Sequence, residues 1–282
     1  MSTRFSNFIV IALLFLSIPS AACTSVIISG RMRSDGKPLM FKHRDSSSQK
    51  NSMEWFKGEK HSFLALVNSD WRTNPVANDT KGMPEVWAGR NDAGFCIMNT
   101  ATYDLKDDDV PSYMMDREGL VMYRALEICS SLSDFENFLD TLSRPMGVEA
   151  NFGVIDARGG AAYYEVNNSK WIKFDVNACE KGYMVVTNFT RTGRTADRRG
   201  EDRYEKACKI LSDTTVPVSD WDHSFLVRNI SCSGSPILRD ITSSVIIFEG
   251  DEVWASLGKP DKVSCKRYYV RAGKVKSVTP VI

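Results

Sequence analysis

The sequence carries no block of like charge, very little histidine and no apolar run long enough to cross a bilayer. Its 36 basic and 35 acidic residues leave a formal charge of +1, so there is no global field to gather nucleic acid or an anionic membrane. The densest runs, Asp107-Asp108-Asp109 and the arginines around Arg198, are short enough to read as solvated loops. The 3 histidines, His43, His61 and His223, are scattered, and neither a CxxC pair nor an HExxH helix occurs. That speaks against a metal centre. A GxSxG elbow is missing, which disfavours a serine hydrolase. A P-loop and a GxGxxG turn are missing too, which disfavours nucleotide chemistry. No cofactor and no metal are expected.

What is present begins at the N-terminus. Arg4 supplies a positive start, Phe8 to Ile18 is apolar, Pro19 breaks the run, and Ser20-Ala21-Ala22 offers small residues at an exit. These are the parts of a secretory signal. The apolar run falls well short of the ~20 residues that span a bilayer core. The reading is therefore a signal peptide over residues 1–22, cleaved after Ala22, and a secreted or periplasmic protein. The rival reading takes Ser20-Ala21-Ala22-Cys23 as a lipidation site, which makes Cys23 an anchor and its owner a non-catalytic binding protein. All 7 cysteines lie at or after position 23. An oxidising compartment permits disulfides among them, and buried reduced cysteines serve equally well as small hydrophobes.

The remainder, with 43% hydrophobic and 25% charged residues, suits a well-filled core. Thr24 to Ser29 reads as a buried strand, Ser34 to Pro38 as a turn and Leu39 to Lys42 as the returning strand. Phe63 to Val67 and Phe95 to Met98 are further strands. Helices are expected over Asp116 to Ser130 and from a Ser133 cap, with Glu136 completing a capping box, through Leu142. Strands follow at Phe152 to Ile155, Ala161 to Val166, Trp171 to Phe174 and Tyr183 to Thr187. A helix from about Gly200 to Leu211 precedes strands at Val245 to Phe248, Glu252 to Ala255, Arg267 to Arg271 and Val275 to Val278. Strands, helices, then strands again is an α+β order rich in antiparallel hairpins. With no repeat or linker in view, one domain over 23–282 is the simplest organisation.

A cysteine at the first position of a processed chain carries a nucleophile and a base together. Its thiol attacks as thiolate, while its own α-amine titrates near pKa ~7.7–8.0. Attack on an amide carbonyl creates an oxyanion that preorganised donors must meet. Folding the first hairpin about Asp35-Gly36 sets Asp45 opposite Val26, about 10 Å along the strand from Cys23 at ~3.3 Å per residue. An aspartate there can hold the ammonium end of the cysteine.

These residues resemble the opening of the N-terminal nucleophile hydrolases of the choloylglycine hydrolase and penicillin acyltransferase type. Cys23-Thr24-Ser25 followed by Phe41-Lys42-His43-Arg44-Asp45 is similar to their start, although Lys42 stands where the bile-salt branch has arginine. Asn91 to Phe95 running into Asn99-Thr100, Val185 to Phe189, and Arg203 to Ala207 are similar to later elements, in family order. The resemblance implies a four-layer αββα sandwich of two antiparallel sheets between helices. It implies an amidohydrolase acting on a linear non-peptide amide, or an acyltransferase of the same fold. It further implies Cys23 as nucleophile and base, Asp45 orienting it, the Asn188 side chain and the Asn99 backbone N–H as oxyanion hole, and Arg203 as a supporting charge. Arg199 and Arg239 compete with Arg203 for that last role. The expected partner is a small N-acyl amide, with no nucleic acid and no membrane span, and a homo-oligomer is compatible with the reading.

Overall fold

The computed structural model describes residues 22–73, 82–105, 109–193 and 198–271, with the backbone of 274–278. The leader read over residues 1–22, Ala22 apart, lies outside the described residues, as do Asp107 and Asp108. Among the described residues fourteen strands and four α-helices follow in the order β1 (Cys23–Ile28), β2 (Leu39–Asp45), β3 (Asn51–Phe56), β4 (Phe63–Asn68), β5 (Val86–Asn91), β6 (Cys96–Ala101), α1 (Glu118–Ile128), α2 (Leu132–Thr141), β7 (Ala150–Ile155), β8 (Ala161–Val166), β9 (Trp171–Asp175), β10 (Tyr183–Val186), α3 (Glu201–Asp213), α4 (His223–Leu226), β11 (Thr242–Glu249), β12 (Glu252–Ser256), β13 (Lys266–Arg271) and β14 (Lys274–Val278). Among the described residues no helix is long and apolar enough to cross a membrane.

The strands form two seven-stranded sheets, ordered β10-β1-β2-β11-β12-β13-β14 and β3-β4-β5-β6-β7-β8-β9. Neighbouring strands in both sheets run antiparallel. Period-two alternation explains the layering, because successive side chains on a strand leave by opposite faces. In β1, Val26 and Ile28 pack outward with Ala207, Leu211, Trp221 and Phe225 of the α3 and α4 layer. Ile27 packs inward with Leu64, Met98 and Ile155 of the opposed sheet. On that sheet's far face, Phe63, Ala65 and Phe152 pack against Val121, Leu126 and Phe135 of α1 and α2. Three apolar cores thus separate four layers, helix, sheet, sheet, helix, as expected.

Three local readings differ from the structure. The second helix is capped by Ser131, whose side chain accepts from Asp134 N–H, and Asp134 reaches back to Ser130 N–H at 2.9 Å. The box therefore begins two positions before Ser133. Glu136 accepts instead from Tyr164 Oη at 2.8 Å and pairs with Lys173. The edge strand β3 and the inner strand β5 lay outside the expected elements. Gly89 interrupts β5, where a Cβ would stand 2.5 Å from Leu126 Cδ1, so close helix packing replaced the β-branched residue that propensity looks for.

The third difference is the register of the first hairpin. The chain leaves β1 through Ser29, which caps a short 3₁₀ turn at Gly30–Met32. That turn shifts the bend ahead of Asp35-Gly36, so Cys23 pairs with Arg44 and Val26 with Phe41. Asp45 consequently lies beside Ala22, donating its N–H to the Ala22 carbonyl at 2.8 Å. It stands closer to Cys23 than a turn centred on Asp35-Gly36 provides.

Candidate active site

Cys23 opens β1, between β2 and β10, so both neighbours deliver residues to it. The register that sets Ser25 against Val186 brings Asn188, just past the end of β10, to the cysteine nitrogen. Asn188 Oδ1 accepts from Cys23 N at 2.8 Å and from Arg203 Nη2 at 2.8 Å. Its amide nitrogen donates to the Ala101 carbonyl at 2.6 Å. Two donors on one oxygen and an acceptor at the nitrogen fix the amide orientation. Arg203 Nη1 also donates to the Cys23 carbonyl and reaches Thr24 Oγ1 at 3.4 Å. One arginine thereby clamps the first residue of the strand to the asparagine facing it.

The clamp needs Gly200. This residue opens α3 at φ 81, and a Cβ there would fall 2.0 Å from Arg203 Nη2. Both the left-handed backbone and the close approach demand glycine. Burial lowers the pKa of the Arg203 guanidinium, with Arg239 adding to the effect and Cys23 and Asp45 opposing it.

The arginines that competed for the role occupy different posts. Arg239 donates through Nε to Asp45 Oδ2 at 2.9 Å, while Arg199 stacks over the Tyr103 ring at 4.4 Å. Asp45 is fully buried and also accepts from Thr242 Oγ1 at 2.7 Å, with His43 Nε2 at 3.3 Å. Burial raises the pKa of its carboxyl, and the His43 and Arg239 contacts outweigh that to hold it below the usual range. A bulge in β11 between Thr242 and Ser244 turns Ser243 Oγ onto Arg44 Nη1 at 3.1 Å, a common device for re-aiming a side chain beside a site.

Cys23, Lys42, Arg44, Asp45, Asn68, Trp87, Asn99 and three serines, Ser46 to Ser48, line a cavity of about 250 Å³. Lys42 is 1% exposed and donates to Trp87 O at 2.6 Å and Asn99 Oδ1 at 2.9 Å. Burial pushes its ammonium down to about 8, opposed by Cys23 and reinforced by Arg44. Arg44 is held by Asn51 Oδ1 at 2.7 Å and lies 4.6 Å over the Trp87 ring. Burial takes it down to about 10. Lys42 and Arg44 thus bring two cations from β2 to the cavity that Cys23 lines. All seven cysteines are free of disulfides. Among the described residues no group of three or more His, Cys, Asp or Glu side chains is placed to hold a metal ion.

Of the residues read from the sequence, the structure brings Cys23, Asn188 and Arg203 into direct contact. Asp45 and Asn99 line the same cavity as Cys23. Asn99 sits inside β6 opposite Phe152, and its side chain is what meets Lys42. Sequence reading did not find Arg44, Trp87 or Glu85. Trp87 and Glu85 belong to the unrecognised β5 region, and the Val86-Trp87-Ala88 alternation after Pro84 was the available signal.

Glu85 is 6% exposed. Burial lifts its carboxyl to about 7, Asp116 adds to this and Arg44 opposes it, while Glu118 is lifted to about 7 by burial against Asp116 and Glu85. The unfolded carboxyl ionises from about pH 4.5 and the folded one only near 7. The contribution of Glu85 to stability is therefore complete below about pH 4.5 and is lost as pH rises to about 7. Glu85→Gln is expected to gain on the parent between about pH 4.5 and 8, by on the order of 2 kcal/mol. Urea unfolding of both proteins at about pH 4.5 and about pH 8 checks this, and an equal difference at both pH values refutes it.

The sequence matches no family model and no curated protein. Solved structures do match. The N-acylethanolamine-hydrolyzing acid amidase ortholog of Caenorhabditis elegans aligns over 91% of this chain and 100% of its own, with 15% identity and a TM-score of 0.59. A single-residue variant of the conjugated bile acid hydrolase from Clostridium perfringens aligns over 92% of this chain and 97% of its own, with 11% identity and a TM-score of 0.52. At such low identity the likeness carries the fold. Two antiparallel sheets between helical layers, with Cys23 at the head of an inner strand, give this chain the N-terminal nucleophile hydrolase fold.

Proposed function

We propose that this chain is an exported cysteine amidohydrolase that cleaves a linear N-acyl amide through an acyl-enzyme on Cys23. The observation that carries the reading is the way Cys23 is held. Its nitrogen lies on Asn188 Oδ1, its carbonyl on Arg203, and its side chain lines a cavity with Lys42 and Arg44. No other cysteine lines that cavity. The neighbours lend support, since their names describe hydrolysis of an N-acylethanolamine and of a conjugated bile acid.

Cleavage after Ala22 turns the Cys23 nitrogen into an amine. The thiol proton passes to that amine, and the thiolate attacks the amide carbonyl carbon. The oxyanion takes a hydrogen bond from the second amide proton of Asn188, the first being used on Ala101, and from the side-chain amide of Asn99, in place of the backbone N–H that the resemblance implied. Lys42 orients Asn99 by occupying its oxygen. Collapse breaks the C–N bond, and the leaving amine departs with the proton from the α-ammonium. Water then gives a proton back to the α-amine and attacks the thioester, releasing the acid and restoring the thiol. Asp45 acts one step removed, because its Arg239 and Thr242 contacts fix the strand end that faces the amine.

Intact mass of the purified exported protein tests the reading. The expected chain begins at Cys23 with no lipid, and brief exposure to an N-acyl amide adds the mass of one acyl group to the N-terminal peptide. Acyl chains present before any substrate is added, or a different first residue, defeat it.

A further inference from the structure

A second cavity, of about 470 Å³, adjoins the first along Trp87, Asn99 and Ala101, which line both. Its remaining wall is acidic, with Glu85, Asp116, Glu118 and Glu149 all facing it. Among the described residues that line it there is no lysine, arginine or histidine. Arg44, the cation felt by Glu85, donates instead to Asn51, Ser243 and Asn68 on its own side of Trp87.

Four carboxylates alone make no site, since carboxylates gather at helix starts. Glu118, at the start of α1, and Glu149, just before β7, are explained by the hydrogen bonds they accept. Glu118 Oε1 accepts from Glu149 N–H at 2.9 Å, and Glu149 Oε1 accepts from Leu105 N–H at 3.1 Å. Glu85 is not so explained. It packs under Gly119 in the first turn of α1, where a Cβ would stand 2.6 Å from Glu85 Cβ. Its Oε2 is buried without any hydrogen-bond partner among the described residues. Thr102, 3% exposed and on the same wall, likewise has a buried Oγ1 without a partner among the described residues. Unpaired buried polar atoms are costly and rare, and here two of different chemistry meet in one chamber. Their shared need is a donor that enters from the cavity. With four carboxylates and no cation among the described residues of its walls, a positively charged donor is the complement.

We propose that the chamber binds an ammonium group carried on one arm of the amide substrate, so that this protein selects cationic N-acyl amides. Acylated diamines and amides of ω-amino acids belong to that class. The ammonium donates to Glu85 Oε2 and Thr102 Oγ1, while the scissile carbonyl lies across Asn99 at Cys23. This rests on the amidohydrolase reading for the placement of the amide, but its test does not depend on turnover.

The test is calorimetric binding to the processed Cys23→Ala protein, which lacks the nucleophile. One pair of probes is N-hexanoyl-1,4-diaminobutane and its methyl counterpart N-hexanoyl-pentylamine. The other pair is 6-aminohexanoyl-butylamide and heptanoyl-butylamide. In one pair the ammonium compound is expected to bind roughly 10- to 100-fold more tightly than its methyl counterpart, the range for a charge-assisted hydrogen bond. Adding Glu85→Gln should bring that ratio close to one with little effect on the methyl compound. Glu118→Gln, read beside it, should lower the ratio less. Ammonium and methyl compounds binding alike in both pairs, no measurable binding of either ammonium compound, or a preference undiminished by Glu85→Gln overturns the proposal. A wild-type chain that binds the ammonium amide but never forms an acyl-enzyme strikes the hydrolase reading and leaves this one standing.

Discussion

Cys23→Ser is expected to fold and process as the parent does while its amide hydrolysis falls by about 10³-fold or more. An alcohol is far less ionised than a thiol at neutral pH, and the neighbouring amine is too weak a base to make up the difference. Donors and binding contacts remain, so a residual rate above background is expected, as when other nucleophiles are removed. The fold should tolerate the change, because the clamp uses the nitrogen and carbonyl of Cys23, not its sulfur. Single-turnover kinetics beside thermal unfolding checks both halves. Parent-like kcat in the serine variant would move the chemistry to another group.

Asn188→Ala should lower kcat by roughly 10²–10³, the effect of losing one oxyanion donor, and should also destabilise the chain. The second effect follows from Arg203. Without Asn188 Oδ1 its Nη2 loses a 2.8 Å acceptor inside the protein, and an orphaned charged donor costs about 1–3 kcal/mol or more. Asn188→Asp separates the two contributions. A carboxylate keeps an acceptor for Arg203 and for the Cys23 amine, so the part of the stability lost through the orphaned arginine should return, while the Ala101 carbonyl stays without its donor. It has no proton for the oxyanion or for Ala101 O, so kcat should stay low. A negative charge beside the amine also favours its protonated form, and the ascending limb of the pH–kcat profile should move to higher pH. Recovery of activity together with stability in the aspartate variant would reduce Asn188 to a tether.

Some of this protein was legible in the order of its residues. Strands such as Ala161–Val166 and Trp171–Asp175 declare themselves as short runs rich in apolar and aromatic residues, set between turns. The α3 helix follows from the spacing of Ala207 and Leu211, which share its buried face with Arg203. Cys23 stood out for chemistry that needs no partner in space. Its own amine can serve as base, and a small-residue exit precedes it. Asn188 could be singled out because a polar residue ends the apolar Val185-Val186 run.

Other features depend on distances between segments remote in sequence. Arg203, Arg199 and Arg239 are equivalent as letters. Only α3 lying over β10 and β1 gives Arg203 the Cys23 carbonyl, and only the β11 pairing with β2 gives Arg239 to Asp45. The partner of Asp45 was set by a 3₁₀ turn after Ser29, whose short cap outweighed the Asp35-Gly36 turn signal. The buried charge of Lys42, the cavity beneath Trp87 and the acidic chamber around Glu85 arise where two sheets and a helix start converge. Local sequence determines which backbone conformation each segment prefers and which side chains must be hidden. It leaves undetermined which hidden groups meet, because desolvation and pairing energies act through space and exist only once the layers have closed.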